Sequence, residues 1–365
     1  MTALDDALLR QNPNPRDAHP PSDRRRDRRL APLLALAWSL AYLSLAVLHL
    51  VGRGFAPWTP TEASVLGSLG ARAVSVAIMV LAATALAALA LSVPDRPDRA
   101  HPVGDARGRT VGGRLGPVLL VVVGLLVALT LADTRSLTFL GYLPMVLLGL
   151  VGVGPADDVD PALLGPALLA MGQSVGGLAL VVTGLTAVTA RRPGSEAWSS
   201  ERAARLGRWA AAVAVAVPLF YASTRVAWAL GVPFGVRDVF LDELGDARYA
   251  GLGLALFGLV GCLLTLGLVQ RWGEVFWSWV PGIGGRPVPV GLAVVPATFV
   301  ASLVTSAGLS FLRLLAVGEL SRIPGSEADW AAWAPEMFWP LWGVALGVAA
   351  LAYRARRHAD EQVTT

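Results

Sequence analysis

Nine apolar stretches, each about 20 residues long, account for most of this chain of 365 residues. A helix of that length crosses the hydrocarbon core of a bilayer, because it satisfies its own backbone hydrogen bonds where no water is present. Hydrophobic residues make up 55% of the chain and charged residues 15%, far from the balance of a soluble domain. We therefore predict an all-α integral membrane protein. The stretches cover residues 31–51, 65–93, 116–133, 137–154, 166–190, 209–230, 250–270, 289–308 and 337–353.

Residue usage excludes several kinds of site. All 30 basic residues are arginine, which excludes a phosphate-binding loop or a Schiff base that needs lysine. The single cysteine, Cys262, excludes a disulfide or a thiolate metal site within one chain. Of the four histidines, only His49 lies in an apolar stretch. We predict no catalytic residues, no cofactor and no metal site, and the sequence favours a protein that is not an enzyme.

The placement of the arginines reduces the nine stretches to eight spans. Arginine-rich polar segments belong in the cytoplasm and the arginine-poor, acidic ones outside, and the same clusters argue against nucleic acid as a partner. The two kinds of segment alternate only if residues 137–154 do not cross. We predict eight spans in a bacterial cytoplasmic (plasma) membrane, with both termini cytoplasmic. Nine spans remain the alternative, because residues 137–154 are long enough to cross.

An internal duplication supports eight spans. Residues 112–143 and 284–315 are identical at 13 of 32 positions at a fixed offset, including a polar "GGR" at the start of each. Two further offsets pair "YLSLAVLHLVGRGF" with "YASTRVAWALGVPF", and residues 171–182 with 337–348. The favoured fold is thus two tandem four-helix repeats of the same orientation, in which residues 137–154 and 309–322 cap the outer face. The predicted organisation is a disordered cytoplasmic tail (1–30), a first repeat (31–190), a cytoplasmic linker (191–208), a second repeat (209–354) and a cytoplasmic tail (355–365).

Arg225 is the most unusual residue, because a charge inside an apolar stretch is costly and often functional. Helical spacing places Tyr221, Arg225 and Trp228 on one face. In one interpretation Arg225 extends to the lipid head groups. In the other it lines an outward-facing cavity and binds an anionic group, or it pairs with a carboxylate of the acidic outer loops.

The first repeat carries the counterparts of these residues. Tyr42 corresponds to Tyr221 and His49 to Trp228, whereas Ala46 takes the place of Arg225. The five candidate binding residues are Arg225, Tyr221, Trp228, His49 and Tyr42.

Other polar and aromatic residues receive structural interpretations. The outer carboxylates, from Asp133 to Asp246, are predicted to be solvated, and the "DDVD" at 157–160 lacks the spacing of a calcium loop. Residues 271–289 are predicted to be an aromatic belt with a local ion pair between Arg271 and Glu274. The glycines at 251, 253, 258 and 261 are predicted to permit close helix packing.

The duplicated unit, "RVAWALGVPFG" and "RWGEVFWSWVPGIGGRPVPV" resemble uncharacterised polytopic membrane proteins of actinobacteria. Those proteins are similar to a duplicated form of small four-helix bacterial membrane proteins of unknown function, so the resemblance implies no activity. From the sequence, we expect the protein to bind or transport a small solute or lipid through a cavity between the repeats. One alternative is a scaffold or accessory subunit that packs against another membrane protein or a second copy. The other is a membrane-embedded enzyme that acts on a lipid-linked substrate.

Overall fold

The computed structural model describes residues 21–59, 61, 64–92, 106–150, 164–190, 200–320 and 325–363, and these residues form helices joined by turns. The prediction of an all-α chain is confirmed for this part. Ten α-helices are described, α3 ends in a π-helical turn at Val127–Leu131, and short 3-10 turns lie at Arg271–Gly273, Trp330–Ala332 and Ala334–Phe338. The helices are α1 (Pro21–Leu50), α2 (Ala71–Ser92), α3 (Ala106–Leu126), α4 (Thr134–Leu150), α5 (Leu164–Ala190), α6 (Ser200–Ala229), α7 (Asp238–Leu244), α8 (Ala247–Gly267), α9 (Val290–Ala316) and α10 (Trp339–Val363).

Seven described helical segments are long and apolar enough to cross a membrane. An eighth span results if α3 with its π-helical turn and the first part of α4 count as one, although the two are bent by 74° at a short break. Residues 137–154, whose crossing the sequence left open, begin within α4, and 151–154 lie outside the described residues.

Helix packing divides the chain into two groups. In the first group α1 packs on α2, α2 on α3, α3 on α5 and α5 on α1, which closes a ring. In the second group α6 packs on α8 and α10, and α9 packs on α10. A crevice separates α8 from α9, so the second ring is open on one side.

The two groups meet where α3 ends. The π-helical turn and α4 both pack on α9, and α4 also contacts α8. Ser306 of α9 donates its hydroxyl to the Ala132 carbonyl at 2.6 Å. This carbonyl has no helical partner at the bend, so the hydrogen bond satisfies a backbone group that the break in α3 leaves open.

Several helix ends differ from the sequence prediction. α1 begins at Pro21 and α6 at Ser200, so part of the predicted tail and part of the predicted linker are helical. Polar residues at the end of a span lie among head groups and water, where a helix can continue.

Two other helices differ from the predicted bounds for other reasons. α2 begins only at Ala71, because residues 64–69 form turns. α9 continues to Ala316, so the described part of the predicted cap at 309–322 is largely an extension of α9. Residues 1–20 and 191–199 lie outside the described part.

Candidate functional site

Arg225 projects from α6 onto the segment that precedes α10. Its Nη2 lies 2.7 Å from Oε1 of Glu336, and Nη1 donates to the Ala331 carbonyl at 3.0 Å. A longer hydrogen bond of 3.3 Å joins Nη1 to the Thr224 hydroxyl. Glu336 is only 5% exposed, so the pair is formed away from water.

Two aromatic rings enclose the Arg225 guanidinium. Its central carbon lies 4.5 Å from the centre of the Tyr221 ring and 4.2 Å from that of Trp228. The sequence placed these three side chains on one face, and the structure brings them together. Arg225 is 8% exposed, so the interpretation in which it extends to the head groups is wrong. The alternative of a carboxylate partner from the acidic outer loops is the one that the geometry matches.

This arrangement ties helices together rather than presenting a charge to a ligand. Two rings lie within 4.5 Å of the guanidinium carbon, and three of the guanidinium N–H groups are taken by the carboxylate, the carbonyl and the hydroxyl. Gly251 of α8 lies beside the stem of Arg225, since a Cβ built there would be 3.6 Å from its Cδ. The cluster therefore holds α6 and the start of α10 together.

Tyr42 and His49 lie in the first group, where they make other contacts. The Tyr42 hydroxyl donates to the Leu169 carbonyl of α5 at 2.7 Å. His49 Nδ1 lies 2.9 Å from the Ser75 hydroxyl of α2, which itself donates to the Ala71 carbonyl. Because the single hydroxyl proton of Ser75 is donated to Ala71, His49 Nδ1 is the donor in its bond to the Ser75 oxygen. Each residue joins α1 to a neighbouring helix, and no described hydrogen bond joins His49 to the Arg225 cluster.

Asp133 is not the solvated carboxylate that the sequence predicted. It is fully buried at the bend between α3 and α4, where it accepts from the Ser64 hydroxyl at 2.9 Å and pairs with Arg135. Arg135 also donates to the hydroxyl and the carbonyl of Thr59.

The other outer carboxylates up to Asp246 that the structure describes are exposed as predicted: Asp238, Asp242, Glu243 and Asp246. Residues 157–160 lie outside the described part. The described residues hold no group of three or more metal-ligating side chains.

A second ion pair fixes the loops near the Arg225 cluster. Asp329 accepts hydrogen bonds from the backbone amide of Arg237 at 2.8 Å and from its guanidinium at 2.6 Å. The amide belongs to the residue that precedes α7, so Asp329 caps the start of that helix from another segment of the chain. The Ala331 amide donates in turn to the Gly235 carbonyl at 3.0 Å.

We expect this cap to open in acid. The pKa of Asp329 lies below its ordinary value of 3.8, because the Arg237 guanidinium donates hydrogen bonds to the carboxylate. A lowered pKa means that the pair stabilises the fold at neutral pH and loses its contribution as the pH falls through the folded-state pKa, below 3.8. Hydrogen exchange of the Arg237 amide, corrected for its intrinsic rate, should rise there. In Asp329→Ala, which has no side-chain acceptor, the Arg237 amide should exchange fast already at neutral pH. In the control Asp242→Ala, at an exposed position of α7, it should stay protected. A protected amide in Asp329→Ala would contradict the assignment.

The crevice between α8 and α9 is a site that the sequence did not predict. Its volume is about 410 Å³, within the range of small-molecule sites. The described lining is apolar except for the indole N–H groups of its tryptophans and for Thr265, whose hydroxyl is already donated to the Gly261 carbonyl at 2.8 Å. Leu264 of α8 and Leu292 of α9 are 64% and 58% exposed, so the crevice opens sideways between the two helices. Trp342 of α10 closes its back.

Residues 271–289, here the tryptophan hairpin, cover one end of the crevice. The Phe276 amide donates to the Arg286 carbonyl at 3.0 Å, and the Val288 amide donates to the Glu274 carbonyl at 2.8 Å. Gly282 and Gly285 have positive φ angles of 80° and 77°, which allow the chain to reverse. The Trp272 and Trp277 rings lie 5.8 Å apart, and both line the crevice.

The end of α10 holds the tryptophan hairpin in place. Arg356 lies 3.2 Å from the Glu274 carboxylate and donates to the Leu268 carbonyl at 2.9 Å. Arg357 donates to the Glu274 carbonyl at 3.0 Å. The predicted ion pair between Arg271 and Glu274 is therefore wrong, since Glu274 pairs with Arg356 and Arg271 is exposed.

The glycines of α8 do not pack as the sequence predicted. A Cβ built at Gly253, Gly258 or Gly261 would meet nothing within 4 Å, whereas Gly251 contacts only the stem of Arg225. These three positions of α8 are therefore uncovered within the described chain. The close approaches lie elsewhere, at Gly177 of α5 against α3 and at Gly343 of α10 against α9.

Comparisons of the chain with protein-family models, with curated proteins and with solved structures found no match. Conclusions about function therefore depend on the geometry of the sites. The Arg225 cluster is closed and internally paired, whereas the α8–α9 crevice is open and apolar.

Proposed function

We propose that this chain is a bacterial plasma-membrane protein of two tandem four-helix repeats, and that it binds a membrane lipid in the α8–α9 crevice. The single observation that carries the proposal is the crevice itself, a lateral apolar opening of about 410 Å³ in a helix group that is otherwise closed. Lipid tails surround any such opening. In this proposal the ligand lies within the second repeat, and not in a cavity between the repeats.

Matching helix ends support the duplication. At the end of α1 the Gly52 amide donates to the His49 carbonyl at 3.0 Å, and at the end of α6 the Gly231 amide donates to the Trp228 carbonyl at 2.9 Å. The two glycines have positive φ angles of 74° and 78°, the conformation that ends a helix without steric strain. They are equivalent at the offset that aligns the two helices. One difference between the groups is that the second leaves its second and third helices, α8 and α9, apart.

The crevice has the chemistry of a site for an acyl chain. Among its described lining residues the only hydroxyl is that of Thr265, which is satisfied, and the Trp272 indole N–H donates to Gln270. Only the indole N–H groups of Trp277 and Trp342 could pair with a polar solute there, so the lining is poorly suited to one. Each methylene that leaves water for such a site contributes about 0.8 kcal/mol, and the flat rings of Trp272, Phe276 and Trp277 present further apolar surface. An apolar chain is therefore the ligand that the lining favours.

We expect a bulky residue in the crevice to displace the lipid. Ala297 lines the crevice, so Ala297→Phe should reduce crevice labelling by a phosphatidylcholine with a photoactivatable acyl chain by about tenfold, the equivalent of about 1.4 kcal/mol. The full-length protein is used in lipid nanodiscs, and the labelled peptides are located by mass spectrometry. Ala293→Phe, one turn away in the same lining, is the second variant.

Val295→Phe is the matched control, because Val295 is 65% exposed on the same helix and does not line the crevice. Its labelling should equal that of the wild type. Equal labelling of all variants, or wild-type labelling spread evenly over the exposed helix faces, would contradict a bound lipid.

The second candidate function is that of an accessory subunit, with α8 as the docking helix. The uncovered glycines Gly253 and Gly258 support it, because small residues on a lipid-facing helix allow another helix to approach closely. The same labelling experiment separates the two. A bound partner or a second copy would shield the α8 surface around Gly253 or around Gly258 from lipid, whereas a chain that acts alone would be labelled at both positions.

The alternative of an enzyme that acts on a lipid-linked substrate would require Arg225, His49 and an outer carboxylate to lie within hydrogen-bond distance of one another. Arg225 has a carboxylate partner in Glu336, but His49 is bonded to Ser75 in the other helix group. The described residues therefore do not supply that set of groups, and we favour binding without chemistry.

A further inference from the structure

We propose that the lipid in the crevice carries an anionic head group, and that Arg271 and Arg286 of the tryptophan hairpin bind it. This inference rests on the proposed function, since it assigns the head group of the same lipid. The source is the surrounding bilayer, because the crevice opens sideways towards the lipid tails.

Both arginines lie beside residues that line the crevice. Arg271 directly precedes Trp272, in a 3-10 turn that begins just after α8. Arg286 lies across the hairpin from Phe276, whose amide donates to the Arg286 carbonyl at 3.0 Å and whose carbonyl accepts from the Gly285 amide at 3.0 Å. Trp272 and Phe276 both line the crevice, so both arginines belong to the chain segment that covers this end of it.

The two guanidinium groups have no carboxylate to neutralise them within the described chain. Glu274, the one carboxylate of the hairpin, pairs with Arg356 at 3.2 Å. The side chains of Arg271 and Arg286 are exposed and form no described hydrogen bond or ion pair. The hairpin therefore presents two unpaired positive charges.

The neighbouring arginines are engaged differently. Arg356 donates to the Leu268 carbonyl at 2.9 Å, and Arg357 donates to the carbonyls of Glu274 and Val288 at 3.0 and 3.3 Å. These bonds hold the hairpin against α10, so the unpaired charges sit on a fixed backbone. A fixed backbone lowers the entropy lost when a ligand is bound.

The chemistry of this end of the crevice matches a phosphate ester attached to an acyl chain. A guanidinium binds phosphate oxygens through two parallel hydrogen bonds, which are short and charge-assisted. Trp277 and Trp279 are 48% and 72% exposed and stack at 5.5 Å, as aromatic residues do at the depth of head groups. Each arginine near an anionic leaflet contributes about 1 kcal/mol of attraction. The apolar walls of the crevice, together with the two cations of the tryptophan hairpin, favour an anionic lipid over a zwitterionic one.

The test compares two photoactivatable lipids with the same acyl chain, phosphatidylglycerol and phosphatidylcholine, at equal fractions in nanodiscs. For the wild type we expect phosphatidylglycerol to label the crevice more strongly than phosphatidylcholine, by a factor on the order of ten. The double variant Arg271→Gln with Arg286→Gln should label equally with both lipids and should retain its phosphatidylcholine labelling. The matched control is Arg208→Gln with Arg354→Gln, which removes two exposed arginines outside the hairpin and should keep the preference.

The outcomes separate the inference from the proposed function. Equal labelling of the wild-type crevice by the two lipids would overturn the anionic head group and leave lipid binding intact. If the control variant lost the preference for phosphatidylglycerol, that preference would come from the general surface charge. This result would also overturn the head-group site at Arg271 and Arg286. A wild-type crevice that neither lipid labels, or that cross-links instead to a second copy of the chain, would overturn both.

Discussion

Removal of the Glu336 carboxylate should be among the most destabilising single changes in this protein. Glu336→Gln leaves the Arg225 guanidinium charged, because arginine does not deprotonate, in a place where its side chain is 9% exposed. Breaking a buried ion pair from one side costs about 3 to 5 kcal/mol. We expect the free energy of unfolding, measured by titration with a denaturing detergent and tryptophan fluorescence, to fall by that amount.

Two further variants test whether the loss of stability in Glu336→Gln comes from the unpaired Arg225 charge. Glu327→Gln makes the same change on an exposed residue of the preceding loop and should leave the stability unaltered. The double variant Arg225→Leu with Glu336→Leu should recover most of the loss, because an apolar pair of similar size needs no desolvation of charge. A Glu336→Gln protein as stable as the wild type would mean that Arg225 reaches head groups or water, as one interpretation of the sequence held.

The Arg225 cluster shows which part of a site local sequence can predict. Tyr221 and Trp228 follow from helical spacing, since residues four and three positions away share a face with Arg225. Glu336 lies 111 residues further along the chain, and its position depends on how the loop before α10 folds back. The acidic outer segments were predicted to offer a partner, but spacing alone could not select the residue.

The membrane-spanning helices were predictable because burial in lipid is a property of local composition. The ends of these helices were less predictable, since α6 begins at Ser200 although residues 200–208 are polar and arginine-rich.

The burial of Asp133 was missed because a carboxylate between two apolar stretches resembles a loop residue. The Arg135 two positions later was the available signal, since a nearby cation can neutralise a buried carboxylate.

The crevice could not be predicted from the sequence, because it arises where two helices fail to pack. Spacing and hydropathy describe the faces of single helices, and both α8 and α9 are apolar enough to be buried by each other. The small residues Ala293 and Ala297 and the helix-breaking Pro296 on one face of α9 were the only local hint. They leave the wall of α9 without the bulk that would fill the gap.

Two glycines should prove equally important if the repeats are built alike. Gly177 of α5 and Gly343 of α10 are equivalent at the offset that aligns these helices. A Cβ at Gly177 would lie 2.6 Å from the Ala128 amide nitrogen, and one at Gly343 would lie 2.5 Å from the Ala301 carbonyl oxygen. Both distances are to the backbone of the preceding span, which cannot move aside as a flexible side chain can.

We expect Gly177→Ala and Gly343→Ala each to destabilise the protein by about 1 to 3 kcal/mol, because the added methyl group forces the two helices apart. Alanine is the better helix former by roughly 0.5 to 1 kcal/mol, so the propensity acts in the opposite direction and the loss must come from packing. Gly258→Ala on α8 is the control, since a Cβ there meets nothing within 4 Å, and it should leave the stability unchanged or slightly higher. The same detergent titration measures all three. A large loss for Gly177→Ala with none for Gly343→Ala would mean that the third and fourth helices of the two groups pack differently, which would argue against the tandem repeat.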